Sequence, residues 1–281
     1  MDFRKFALAL GISGAALVST SAGATTVLVS PSNMGCWSFA NEDGNGNIGL
    51  NPTGVGAIVS GPGTPPLGTG SANLATGDGT TGGDGAELLN TSCYNGTPLS
   101  DVTALGYWTY DTQNNGQQFP YLKISISYLQ DSTPGTDALF FEPPYQTPAA
   151  GNPSLPDQGD TVMNTWQGWD ALNGGWWDDN GNCNPGTGVE SISTCTTGFT
   201  DITITGISLR VGFASPADQF NGYVDDFLIG LDGVNTAYNF DPATTVPEPS
   251  TLALLGFGLI GISGVLAVRR RRSMPVALRR Q

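Results

Sequence analysis

The chain has 281 residues, with 40 glycines, 19 prolines, no histidine and only 12% charged residues. The missing histidine excludes Ser-His-Asp and Cys-His catalysis, and the Gly- and Pro-rich, charge-poor composition suits short strands joined by turns better than long helices. Between the basic ends, Lys123 and Arg210 stand against 23 acids, a balance of −21 that repels nucleic acid and anionic membrane surfaces and attracts divalent cations.

The start, "MDFRKFALALGISGAALVSTSAGA", joins a short charged segment to an apolar run from Phe6 to Val18 and small residues ending in Ala22-Gly23-Ala24. This three-part plan predicts a secretory signal helix over residues 1–24, cleaved after Ala24. The alternative is an uncleaved anchor, but the apolar run is short for a bilayer.

Residues 25–245 read as one exported domain. "TTVLVS", "GAIVS", "LGYWTY" and "GYVDDFLIG" have strand character. In "YLKISISYLQ", Ile124, Ile126 and Tyr128 share one face, and "DALFFE" reads as the returning strand after a turn at Pro134-Gly135. "TDITITGISLRVGF" alternates in two phases that slip at Thr205-Gly206, where a bulge would keep both apolar sets on one face. Residues from about Asn45 to Asn90 read as a long surface loop with one strand signal, and 143–160 as a second long loop. No helical period occurs between residues 25 and 245. The pattern predicts an all-β, antiparallel two-sheet sandwich of the jelly-roll kind.

All four cysteines lie in the exported region, where an even count favours two disulfides. Three pairings are open. Cys36–Cys93 with Cys183–Cys195 is favoured because the second pair closes a short loop rich in Gly, Asn, Ser and Thr. Zinc is the competing reading, but no C-x-x-C occurs and no histidine could complete a mixed site.

Four of the six tryptophans fall in "TWQGWDALNGGWWDD": Trp166, Trp169, Trp176 and Trp177. With Tyr145 they could form a flat aromatic platform for sugar rings. The competing reading is that they fill the core. Strand alternation sends Trp176 and Trp177 to opposite faces. For catalysis only carboxylates remain. Two across a cleft could hydrolyse a glycoside, but no pair stands out among 23 acids.

At the far end, Thr251–Val268 is an 18-residue stretch without a charge, long enough for a transmembrane helix, and Arg269, Arg270, Arg271 and Arg272 follow it. The arginines fix the cluster on the cytoplasmic side. Pro247, Glu248 and Pro249 stand just before the span. The combination resembles the PEP-CTERM sorting signal of Gram-negative bacteria, here occupying 246–281, whereas an ordinary tail anchor would need none of the Pro-Glu-Pro. The "SMPVALRRQ" after the arginines runs longer than that family's usual abrupt end. The resemblance implies a membrane-anchored precursor, recognition and tail removal by an exosortase, and a mature form at the cell surface or outside the cell, in species that make extracellular polysaccharide.

"WSFANEDG" and "FNGYVDDFLIG" also resemble the first and last strands of jelly-roll carbohydrate-binding modules and concanavalin-like folds. That resemblance implies a structural Ca²⁺ between those strands, with Glu42, Asp43, Asp225 and Asp226 as its oxygen ligands. The same residues read equally as acidic turns, and the EF-hand spacing fails at Gly54. Three functional readings follow. The first is a non-catalytic surface or matrix protein, sorted by its tail and binding exopolysaccharide. The others are an extracellular carbohydrate-active enzyme, hydrolase or lyase, and a purely structural surface protein.

Overall fold

The computed structural model describes residues 24–42, 55–76, 85–90, 93–114, 116, 118–183, 188–212 and 219–242. Among the described residues there are thirteen strands: β1 Thr25–Val29, β2 Trp37–Glu42, β3 Val55–Ser60, β4 Gly70–Ala75, β5 Gly85–Asn90, β6 Val102–Gln113, β7 Tyr121–Gln130, β8 Thr133–Phe141, β9 Gln167–Asp170, β10 Trp176–Asp178, β11 Thr200–Val211, β12 Asn221–Leu231 and β13 Val234–Phe240. One helical turn, α1 (Ile192–Cys195), is capped where Ser191 Oγ accepts the Thr194 N–H.

The strands form two sheets. The six-stranded sheet runs β10-β8-β7-β11-β5-β2. In the seven-stranded sheet β9 pairs β6 and β6 pairs β12. The other edge of β12 is shared. Phe227–Leu231 pair with β13, which carries β1, and Asn221–Val224 pair with β4, which carries β3. The sheet thus forks at Asp225-Asp226, where the β6 register shifts and Asp226 takes φ 47°. Every pairing is antiparallel except β1 with β13, a departure from the all-antiparallel expectation. A parallel partner needs a crossover, and here the crossover is nearly the whole domain.

The core lies between the sheets. Ile124, Ile126, Leu139, Phe141, Ile204 and Leu209 face Leu105, Tyr107, Val224, Phe227 and Ile229. Each such burial stabilises by about 1.5–3 kcal/mol. Trp37 of β2 meets Phe227, Tyr238 and Phe240 of the opposite sheet edge-on, all at 5.3 Å. Next to it Cys36 is bonded to Cys93, and Cys183 to Cys195, the pairing expected from loop length.

Three local expectations meet the structure differently. The phase slip in β11 is absorbed by a bulge between Ile204 and Gly206, so Ile204, Ile207, Leu209 and Val211 all reach the core. The β7–β8 turn, however, is at Asp131-Ser132, with Pro134 paired inside β8 against Leu129. Both turn residues have positive φ (49° and 65°), as a two-residue hairpin of this twist requires and proline cannot supply. The span from 45 to 90 holds three strands, β3, β4 and β5, rather than one.

Candidate functional site

The five aromatic residues singled out in the sequence go to four places. Trp169 and Trp176 are core residues, with Trp169 Nε1 donating to Thr109 Oγ1 at 2.8 Å and Trp176 Nε1 donating to the Ala171 carbonyl at 2.8 Å. Trp177, one residue on, points to the outer face of the six-stranded sheet and stacks on Phe140 with centroids 4.2 Å apart and planes at 14°. Tyr145 closes a 3₁₀ turn at Pro143–Tyr145 after β8, and burial raises its phenol's proton affinity. Trp166, just before β9, lies on the outer face of the seven-stranded sheet.

Trp166 has company there that the sequence reading passed over. On β6, Leu105, Tyr107 and Thr109 point inward and are buried, so Trp108 and Tyr110 point outward. Tyr223 of β12 stands opposite Tyr110 in register, its ring 6.3 Å away and edge-on. Trp166 tilts against Tyr110 at 5.5 Å, held by its Nε1–H donating to the Pro62 carbonyl at 2.9 Å. The result is an outward face bearing two tryptophans and two tyrosines, three of them in ring contact through Tyr110. Its signal was the alternation in "LGYWTY", which separates Tyr107 from Trp108 and Tyr110.

Trp108 is the most open of the four, 37% exposed. Its cross-strand partner is Gly168. A Cβ on Gly168 would stand 2.8–3.1 Å from three atoms of the Trp108 ring, so the indole lies across the glycine and turns its other face outward. Beside it runs a groove of about 510 Å³ lined by Gly106, Trp108, Gly168, Asp170, Asn173 and Leu228. Asp170 is anchored on the rim, accepting the Asn173 backbone N–H at 3.2 Å and its Nδ2–H at 2.7 Å.

Of the four acids expected to hold calcium, Asp225 and Asp226 have described side chains. Asp225 is fully buried in the fork of the seven-stranded sheet. Its Oδ2 accepts the Leu67 N–H at 2.9 Å and its Oδ1 the Phe240 N–H at 3.1 Å. Those bonds tie the 61–69 loop and the end of β13 where the ladder divides. Burial pushes the Asp225 carboxyl up to about 7 despite these donors, and burial also raises Asp226. Asp241 reinforces the same loop, accepting the Thr69 N–H at 2.7 Å. Glu42 ends β2, in the other sheet, and its side chain and Asp43 fall outside the described residues. Among the described residues no three His, Cys, Asp or Glu side chains converge as metal ligands.

Other carboxyls with raised proton affinity are Asp111 and Asp137, each pushed up to about 6, Glu142, up to about 7, and Asp179, with burial the largest cause for all four. None of them lines the groove beside Trp108.

Pro247, Glu248, Pro249 and Arg269–Arg272 lie outside the described residues, as do the expected signal helix and the 251–268 span. Among the described residues no helix is long and apolar enough to cross a membrane. No curated protein matches the chain. One solved structure to which it is similar comes from work on the promiscuous specificity of carbohydrate-binding modules of the β-sandwich superfamily, with 12% identity and a TM-score of 0.30. The match covers 73% of this chain and 61% of that one, so the chain spans about three fifths of that structure's length. The PEP-CTERM protein-sorting motif family matches residues 245–272, and the chain therefore carries the mark of an exported protein sorted by an exosortase.

Proposed function

We propose that this protein is a non-catalytic, glycan-binding component of the cell surface or extracellular matrix. In this reading it is delivered by the 1–24 leader and held by the 251–268 span until an exosortase removes the tail. The observation that carries the glycan reading is the outward aromatic face of Trp108, Tyr110, Trp166 and Tyr223. Flat rings on a rigid sheet suit the C–H faces of sugars, and a sheet positions them better than a loop would. The chain crosses repeatedly between the sheets, which supports the jelly-roll reading of the sandwich. The non-catalytic reading is supported by the groove's acids. Asp170 is its one carboxylate among the described residues, and the carboxyls with raised proton affinity do not line it.

The test is affinity electrophoresis of the full chain in detergent through gels containing different polysaccharides. At least one should retard it, and Trp108→Ala with Tyr223→Ala should abolish the retardation. Retardation unchanged in that double variant would remove the aromatic face from the reading. Release of reducing ends from the retained polysaccharide would replace binding with hydrolysis.

A further inference from the structure

The distribution of cations over the two sheets narrows the ligand. Lys123 lies on β7 and Arg210 on β11, both in the six-stranded sheet. The seven strands of the other sheet contain no lysine or arginine. A polysaccharide bearing uronates, sulfates or phosphates would therefore meet no counter-charge on the aromatic face, and would approach a region carrying −21.

What the groove offers is the reverse. Trp108 presents the outer face of an indole held flat across Gly168, and Asp170 stands on the same side of the sheet, two residues along β9 from that glycine. The two Asn173 donors hold the Asp170 carboxylate on the rim but leave each oxygen with further accepting capacity. An indole face attracts a cation through its quadrupole, and a carboxylate takes a charge-assisted hydrogen bond from an N⁺–H donor. A sugar hydroxyl can use the carboxylate but gains nothing electrostatically from the ring. A protonated amine uses both.

We infer that the groove between Trp108 and Asp170 binds a polysaccharide whose sugars carry protonated amino groups. This rests on the glycan reading of the aromatic face and adds the charge of the ligand to it.

Titration calorimetry of the full chain in detergent, in mildly acidic buffer, would compare glucosamine oligomers with N-acetylglucosamine oligomers of equal length and with a uronate oligomer. The first two differ at the amine alone. The glucosamine oligomer should bind about tenfold more tightly than its acetylated counterpart, from one cation–π contact and one charge-assisted bond at a partly exposed site. The uronate oligomer should not bind. Asp170→Asn should bring the glucosamine oligomer down to the acetylated level, while Trp108→Ala should weaken both. Equal affinity for the two oligomers would overturn the amine inference and leave the glycan reading standing. Absence of binding by any oligomer would overturn both. A glucosamine preference surviving Asp170→Asn and Trp108→Ala would be diffuse attraction to an acidic surface, and would overturn the site.

Discussion

Both sheets carry aromatic residues on their outer faces, but the rings stand in different company. On the six-stranded sheet Trp177 is stacked on Phe140, Lys123 sits 5.7 Å from the Phe140 centroid, and Arg210 sits 5.7 Å from that of Tyr121. Tyr121, Ala138 and Phe140 are buried there as a second small core. On the seven-stranded sheet Tyr110 meets its neighbours tilted or edge-on, at 55° and 84°, and no strand supplies a cation. Ring faces already covered by a stacked ring or a cation hold the protein together, and ring faces left open can hold a ligand. An aromatic count along the sequence cannot separate these cases, because the difference lies in what each face touches.

The largest test of this contrast sets Trp176 beside Trp177. Trp176→Ala removes a fully buried indole and its hydrogen bond to Ala171, and should cost about 3–5 kcal/mol, read as a large drop in thermal midpoint. Trp177→Ala, losing a stacked but half-buried ring, should cost about 1–2 kcal/mol and leave glycan binding unchanged. Loss of binding in Trp177→Ala would move the site to the other sheet.

The next effect is on pH. Each sheet buries carboxyls whose folded proton affinity is raised. Asp225 in the fork and Glu142 after β8 are both pushed up to about 7. A raised folded pKa means that the folded state holds protons the unfolded chain has released. Stability from these groups is fully present below the ordinary carboxylate range and is lost as pH rises through about 7. Denaturation midpoints should therefore rise from pH 8 toward mildly acidic conditions, by at most ~1.4 kcal/mol per pH unit for each group. Asp225→Asn and Glu142→Gln should each flatten part of that slope, one from each sheet. A slope untouched by both would assign it to diffuse repulsion among the surface acids.

Two smaller effects sharpen the comparison. Trp108→Ala should weaken glycan binding about tenfold while changing stability by roughly 0.5 kcal/mol, as for an exposed side chain. Gly168→Ala should weaken binding a few-fold with the indole still present, because the new Cβ pushes into the ring that lies on the glycine. A neutral Gly168→Ala would show that the ring's pose is not what the ligand reads.

The strands with strong alternation were legible. β7, β11 with its glycine bulge, and β12 follow directly from their apolar phases. β4 was not, because "GSANLA" buries Ser71, Ala72 and Leu74 with residues too small to show a period, although it sits between β3 and β12. The β7–β8 turn was misplaced because Pro-Gly is a stronger turn signal than Asp-Ser, yet the hairpin's twist needs two positive φ values. Of the site, Trp166 was legible as one of a cluster, and Trp108 and Tyr110 carried a signal in the alternation of β6 that the tryptophan cluster overshadowed, whereas Tyr223 carried none, since it joins them only when β6 and β12 pair. The role of Asp225 was illegible for the same reason, as the fork it fills joins the β12–β13 hairpin to β4, a strand from far earlier in the chain.

The parallel pairing of β1 with β13 has a consequence for the timing of folding. Synthesis delivers Thr25–Val29 first and Val234–Phe240 last, so the opening strand waits for its ladder partner β13 until nearly all of the domain has been made. Val29 beside Phe240, and Trp37 against Phe227, Tyr238 and Phe240, close only then. Contacts this distant make folding slow and leave a truncated chain with an unpaired edge and an uncovered tryptophan. The sorting motif follows β13 by a few residues, so a chain that reaches the sorting step has all of the strands needed to close the sandwich. A chain broken off earlier lacks both the closing strand and the tail.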